Sequence, residues 1–222
     1  MTDPVTFVAG VVFGIALAAP PGPMNAVIAD ESVTHGWLSG VRAGLGAMVA
    51  DICFFVGALL GVVAIVERIA LLRGVMVGVG GLLMLYFAYD TANEFRDGFT
   101  DDTESETGRG FRRAFALAIT NPYQILFWLT AGVALLNPGT VDVLEPLSAS
   151  LSGLFVVHTG TPLLLVGLFA GVALWVVGFP ATLIAAKNRI DAMAPLTAAV
   201  SALVLAGFGV YFLTDAIGIL FG

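Results

Sequence analysis

Six stretches of this 222-residue chain are long and apolar enough to cross a bilayer as α-helices: Val5 to Ala29, Gly40 to Val66, Leu72 to Tyr89, Ala114 to Leu136, Leu154 to Ala186 and Leu196 to Leu220. A helix rises about 1.5 Å per residue, so roughly 20 apolar residues cover a hydrocarbon core of about 30 Å. In lipid each backbone N–H and C=O must find its partner within the protein, which leaves helices or a closed barrel, and a barrel would show short alternating segments. None is visible. The chain is 59% hydrophobic and 11% charged, with a mean hydropathy of +0.99. Soluble domains carry roughly 25% charged residues. The expectation is an all-α integral membrane protein in the plasma membrane, with the lipid bilayer as its first partner.

The first segment has Asp3 where a basic n-region would stand and no Ala-x-Ala cleavage pattern after it, so it reads as a retained helix rather than a signal peptide. Cys53 is the single cysteine, which excludes an internal disulfide and dithiol chemistry. The net charge of −7 sits in loops, above all in "DGFTDDTESETGRG" from Asp97 to Gly110. Such acidic, aromatic-poor segments are solvated. An acidic chain of this kind has no expected nucleic-acid partner.

Lys and Arg are unevenly shared between the two sides. The loops after segments one, three and five contain Arg42, Arg96, Arg109, Arg112, Arg113, Lys187 and Arg189, whereas the others hold only Arg68 and Arg73. This asymmetry puts the first set in the cytoplasm and both termini outside.

The helices hide a repeat. "FGIALAAP" (Phe13 to Pro20) matches "FALAITNP" (Phe115 to Pro122), "GALL" (Gly57 to Leu60) matches "GVAL" (Gly171 to Leu174), and "YFAYD" (Tyr86 to Asp90) matches "YFLTD" (Tyr211 to Asp215), in the same order. Two three-helix units are implied, residues 5–92 and 114–222, joined by an acidic cytoplasmic loop over 93–113 in a single transporter domain. Because three is odd, the second unit enters the membrane from the opposite side, giving six helices as two inverted repeats.

Each unit opens with a helix broken at proline. Proline removes one helical hydrogen bond and its ring clashes with the preceding turn, so the ladder fails near Pro20 to Pro23 and near Pro122. Unsatisfied backbone at membrane depth is tolerated only inside protein or beside a wet cavity. The breaks are therefore expected to face each other at the midplane, where the half-helix ends after Pro23 and Pro122 would meet an anionic group. Asn25 and Asn121 stand beside them, suited to the zwitterionic end of an amino acid or to capping freed backbone. Asp51 lies within "GLGAMVADICFFVGALLG" with no Lys or Arg nearby. A carboxylate at that depth costs a few kcal/mol on insertion scales and faces a cavity or a partner. It reads as the proton- or cation-coupling group or, alternatively, as a structural hydrogen bond between helices. His158, in "VVHTGTPLLL", belongs to the outer surface or to a pocket lining. Gly74 and Gly78 have GxxxG spacing and read as helix packing.

With "PGPMNAVIADE", "GVRAGLGAMVAD" and "AITNPYQILFWL" in hand, the chain resembles the lysine exporter (LysE/RhtB) family of translocators over nearly its whole length. The resemblance implies six helices and gradient-driven efflux of amino acids and related metabolites. Carried over by motif, its functional positions are Pro21, Gly22, Pro23, Asp51, Asn121 and Pro122. Family members often continue Asn-Pro with Lys, whereas Tyr123 and Gln124 follow here. Tyr123 is then a candidate for packing against substrate.

The expected function is secondary-active export of an amino acid or similar zwitterion, with a proton or cation as coupling ion, no cofactor, no resident metal and a homodimer as a possible assembly. No ATP-binding Gly-x-x-x-x-Gly-Lys-Ser/Thr loop is present. The alternative is a divalent metal exporter, although Asp51 is its single confident buried ligand. An enzyme is the more remote reading: there is no His-Glu-x-x-His or Gly-x-Ser-x-Gly pattern.

Overall fold

The computed structural model describes residues 4–61, 69–96, 108–128, 132–142, 156–187 and 193–221. Nine helices and one two-stranded ribbon are formed among them. In chain order they are α1 (Pro4–Ala18), α2 (Pro23–His35), α3 (Trp37–Leu59), α4 (Ala70–Arg96), α5 (Arg109–Ile119), α6 (Pro122–Phe127), α7 (Val133–Leu136), β1 (Gly139–Asp142), β2 (Val156–Thr159), α8 (Pro162–Lys187) and α9 (Met193–Phe221).

Helices α3, α4, α8 and α9 each hold a stretch long and apolar enough to cross a membrane, and α1 with α2 makes a fifth candidate, bent by 84° at its break. The chain is a multi-pass membrane protein. Its outer faces are apolar, as a lipid-facing bundle requires: Leu82, Leu174 and Leu203 are among the most exposed side chains.

The first apolar segment is two helices rather than one continuous helix. Pro20 and Pro21 interrupt α1, and Pro23 opens α2 from its first turn, where a missing N–H costs nothing. The fourth segment is broken likewise: α5 ends at Ile119 and α6 starts at Pro122. The fifth begins later than its apolar composition suggests. Val156–Thr159 pairs antiparallel with β1, Gly139 opposite Thr159, and the helix starts at Pro162. Thr161 caps it, its hydroxyl oxygen accepting the Leu164 N–H at 3.3 Å. A β-branched run ahead of a Gly-Thr-Pro stop favours a strand over another helical turn. His158 lies exposed on that strand.

Glycine sets how the helices pack. A side chain at Gly10 or Gly14 would run into the backbone of Leu164 and Leu168, and one at Gly167 or Gly171 into that of Phe7 and Val11, so α1 and α8 lie backbone to backbone. They run parallel. Gly46 brings α3 as close to Phe111 of α5, again in parallel, while Gly81 and Gly209 join α4 to α9 antiparallel. Gly74 also packs on α9, against Leu220. Removing side chains at these crossings lets main chains approach, the usual driving geometry where lipid offers no hydrophobic gain. The core between them holds Val27, Met84, Leu117, Leu205 and Phe212, with a second aromatic-rich cluster around Phe54 and Trp128.

Candidate functional site

At the first break the side chain of Asn25 takes over the freed backbone. Its Nδ2 donates to the carbonyls of Ala18 (2.7 Å) and Pro20 (2.8 Å), which the end of α1 leaves without helical donors. Its Oδ1 accepts the indole N–H of Trp175, from α8, at 3.1 Å. Asn25 is thus a bracket across the bend, which is the capping role. Gly22 is the N-cap of α2 in extended conformation with no side-chain cap, and a Cβ added there would meet open space. Pro20 and Pro21 are exposed, and Pro23 is buried.

The second break is bracketed by Thr120, whose hydroxyl donates to the Ala116 carbonyl at 2.7 Å. Asn121 is buried, and its Nδ2 lies 3.8 Å from the sulfur of Met24, the residue after Pro23. Sulfur is a weak acceptor, so the contact is chiefly a statement of proximity. The two interruptions, about a hundred positions apart in sequence, meet. Pro122 opens α6. The side chain of Tyr123 lies outside the described residues.

Asp51 stands on α3 at 7% exposure, beside the second break. Its Oδ1 accepts two neutral donors, Gln124 Nε2 at 3.0 Å and Trp128 Nε1 at 3.1 Å. Both come from the stretch following Pro122, so the carboxylate ties α3 to α6. Neutral donors solvate it without cancelling its charge. The Oε1 of Gln124 is buried without a hydrogen-bond partner among the described residues. Trp128 is held by Phe55, Phe127 and Phe169, with ring centroids 5.4 to 6.3 Å away. Among the described residues no group of three His, Cys, Asp or Glu is arranged to hold a metal ion.

A second polar cluster lies farther along α2. Asp30 and Glu31, each 2% exposed, flank the buried guanidinium of Arg113 on α5, with Nη1 3.6 Å from Asp30 Oδ2 and 3.4 Å from Glu31 Oε1. Arg113 Nη2 donates to Thr91 Oγ1 at 3.0 Å, the Thr91 hydroxyl donates to Asp30 Oδ2 at 3.2 Å, and Ser39 donates to Glu31 Oε2 at 2.6 Å. Sequence reasoning placed Arg113 among solvated loop cations and missed this cluster, as it missed Trp128 and Trp175. A signal existed: an indole N–H inside an apolar run needs an acceptor, and two adjacent carboxylates inside a membrane segment need a cation.

Two broken helices thus converge beside a buried carboxylate among helices long enough to cross a membrane. The chain belongs to the LysE type translocator family, which matches residues 15–216. A Bacillus subtilis (strain 168) relative, provisionally named an amino acid efflux protein, is 29% identical over 128 residues, 55% of this chain and 60% of its own. A leucine efflux protein of Klebsiella pneumoniae is 27% identical over 130 residues, 57% and 59% of the two chains. An uncharacterized membrane protein of Pseudomonas aeruginosa is 27% identical over 149 residues, 63% and 66%. The chain thus spans about three fifths of the length of the first two of these relatives. No solved structure matches it.

Proposed function

We propose that this protein exports an amino acid or a related small zwitterion by secondary-active alternating access, driven by a proton or cation gradient across the plasma membrane, with both termini outside. The observation that carries the reading is the meeting of the two proline breaks, Met24 against Asn121, beside Asp51. In this reading Pro21, Gly22 and Pro23 form one side of the substrate site and Asn121, Pro122 and Tyr123 the other, while Asp51 carries the coupling ion. The uncapped start of α2 at Gly22 suits a carboxylate, because free N–H groups and the positive dipole end point there. The acceptors at Asp51 and at Gln124 Oε1 suit an ammonium group. Names carried by the relatives, amino acid efflux and leucine efflux, agree with that choice of cargo.

The pattern of helix pairs supports two inverted repeats, residues 5–92 and 114–222 about the acidic loop. A two-fold that exchanges the first three segments for the last three must turn the parallel pair α1 and α8 into the parallel pair α5 and α3, and must map the antiparallel pair α4 and α9 onto itself. Those are the close pairs. Asn25 and Gln124, each two residues after the proline that opens its half-helix, are held in turn by α8 and by α3. Rocking of one repeat against the other would expose the breaks to each side alternately.

Purified protein screened by thermal shift against single amino acids and divalent cations checks this. At least one amino acid should raise the unfolding temperature, since a ligand at a hundred times its Kd adds about 2.7 kcal/mol to the native state. Stabilisation by a divalent cation alone would replace this reading with metal export.

A further inference from the structure

Beyond the breaks, a cavity of about 420 Å³ opens between α4 and α5, lined by Tyr86, Phe87, Asp90, Arg109, Arg112 and Arg113 with Ala116. Three guanidinium groups surround it, but they are not equivalent. Arg109 forms a close ion pair with Asp90, and Arg113 turns inward to Asp30 and Glu31. Arg112 is exposed, and no carboxylate among the described residues pairs with it. The positive charge available to a ligand is therefore concentrated at Arg112.

Where the cavity opens says what kind of ligand fits. Val75, Val79, Leu82, Tyr86 and Tyr89 are all exposed and follow one another at three- and four-residue steps, so they form a single stripe along α4. The stripe is apolar for its first part and ends in two tyrosines, the order found where a membrane helix leaves hydrocarbon for headgroups. Tyr86 belongs both to the stripe and to the cavity wall. From Val75 to Tyr86 the helix rises roughly 16 Å, about the hydrocarbon depth of one leaflet. A soluble anion would use the arginines and leave the stripe idle. An amphiphile uses both.

We propose that this cavity is a binding site for an anionic phospholipid, its phosphate held by Arg112 and its acyl chain lying along Val75, Val79 and Leu82. A guanidinium fork matches phosphate oxygens in a bidentate arrangement, and basic pockets between membrane helices recognise acidic headgroups. The site is separate from the breaks and from Asp51, so it holds whether or not the transport reading does.

The test measures thermal unfolding of the full chain in nanodiscs of phosphatidylcholine alone and with phosphatidylglycerol added, alongside native mass spectrometry of retained lipid. Phosphatidylglycerol should stabilise the protein and stay bound in preference to phosphatidylcholine. Arg112→Gln should cut that preference roughly fivefold, the loss expected for one arginine at a membrane surface, while Arg42→Gln should not. Leu82→Asn, on the exposed stripe, should weaken retention without touching the arginines. Equal retention of both lipids, or a preference that survives Arg112→Gln, overturns the site. So does equal protection by millimolar inorganic phosphate in detergent, which would make it a pocket for a small anion. A preference that appears only after the acidic residues of 97–106 are neutralised would assign the cavity to the chain's own acidic segment instead.

Discussion

At the scale of the residue, Asp51 is defined by the neutrality of its partners. Gln124 offers it one N–H and leaves its own carbonyl oxygen unused. Asp51→Asn keeps an acceptor for both Gln124 and Trp128, so its fold should survive while gradient-driven efflux from proteoliposomes is lost. Undiminished efflux would remove Asp51 from coupling. Trp128→Phe retains the ring packing and deletes one donor, and a net cost of about 1 kcal/mol is expected. A loss of transport far larger than that loss of stability would mean that the indole positions the carboxylate. If stability and transport fall together, Trp128 is only a core residue.

At the scale of the element, the glycine faces decide which helices become neighbours. Gly10 and Gly14 on α1, and Gly167 and Gly171 on α8, share the four-residue spacing that also marks Gly74 and Gly78. Because a Cβ at Gly14 would strike the backbone of Leu168 and Val172 rather than a movable side chain, Gly14→Leu has no rotamer that relieves the clash. Overpacking of this kind costs about 1–3 kcal/mol, and here separation of α1 from α8 would add to it. The midpoint of unfolding in mild detergent should fall markedly for Gly14→Leu and stay put for Gly218→Leu, where a side chain meets open space. Equal behaviour of the two variants would show that close approach is not what joins the helices.

At the scale of the molecule, Arg113 with Asp30, Glu31 and Thr91 ties α2, α4 and α5 together across the two halves of the chain. Removing one member of a buried charge cluster strands the others. Arg113→Gln should therefore destabilise by about 3–5 kcal/mol, and the triple variant with Asp30→Asn and Glu31→Gln should recover most of it. Chemical unfolding curves in detergent read this directly. If the triple variant is as weak as the single one, the groups act through packing and not through charge.

Much of this molecule could be read from its residues taken in order. Membrane class, the breaks at Pro20 to Pro23 and Pro122, the isolation of Asp51 and the family all follow from local composition and motif, because hydrocarbon solvent penalises each polar or unsatisfied group where it stands. What belongs to the fold alone is who meets whom. The strand at Val156–Thr159 depends on a pairing with β1, the bracket of Asn25 on Trp175 from 150 positions away, and the burial of Arg113 on two carboxylates contributed by another helix. Helical periodicity fixes the face on which a residue lies, but the choice of neighbouring face is made by glycine-sized gaps and by charges that only the closed bundle brings within reach.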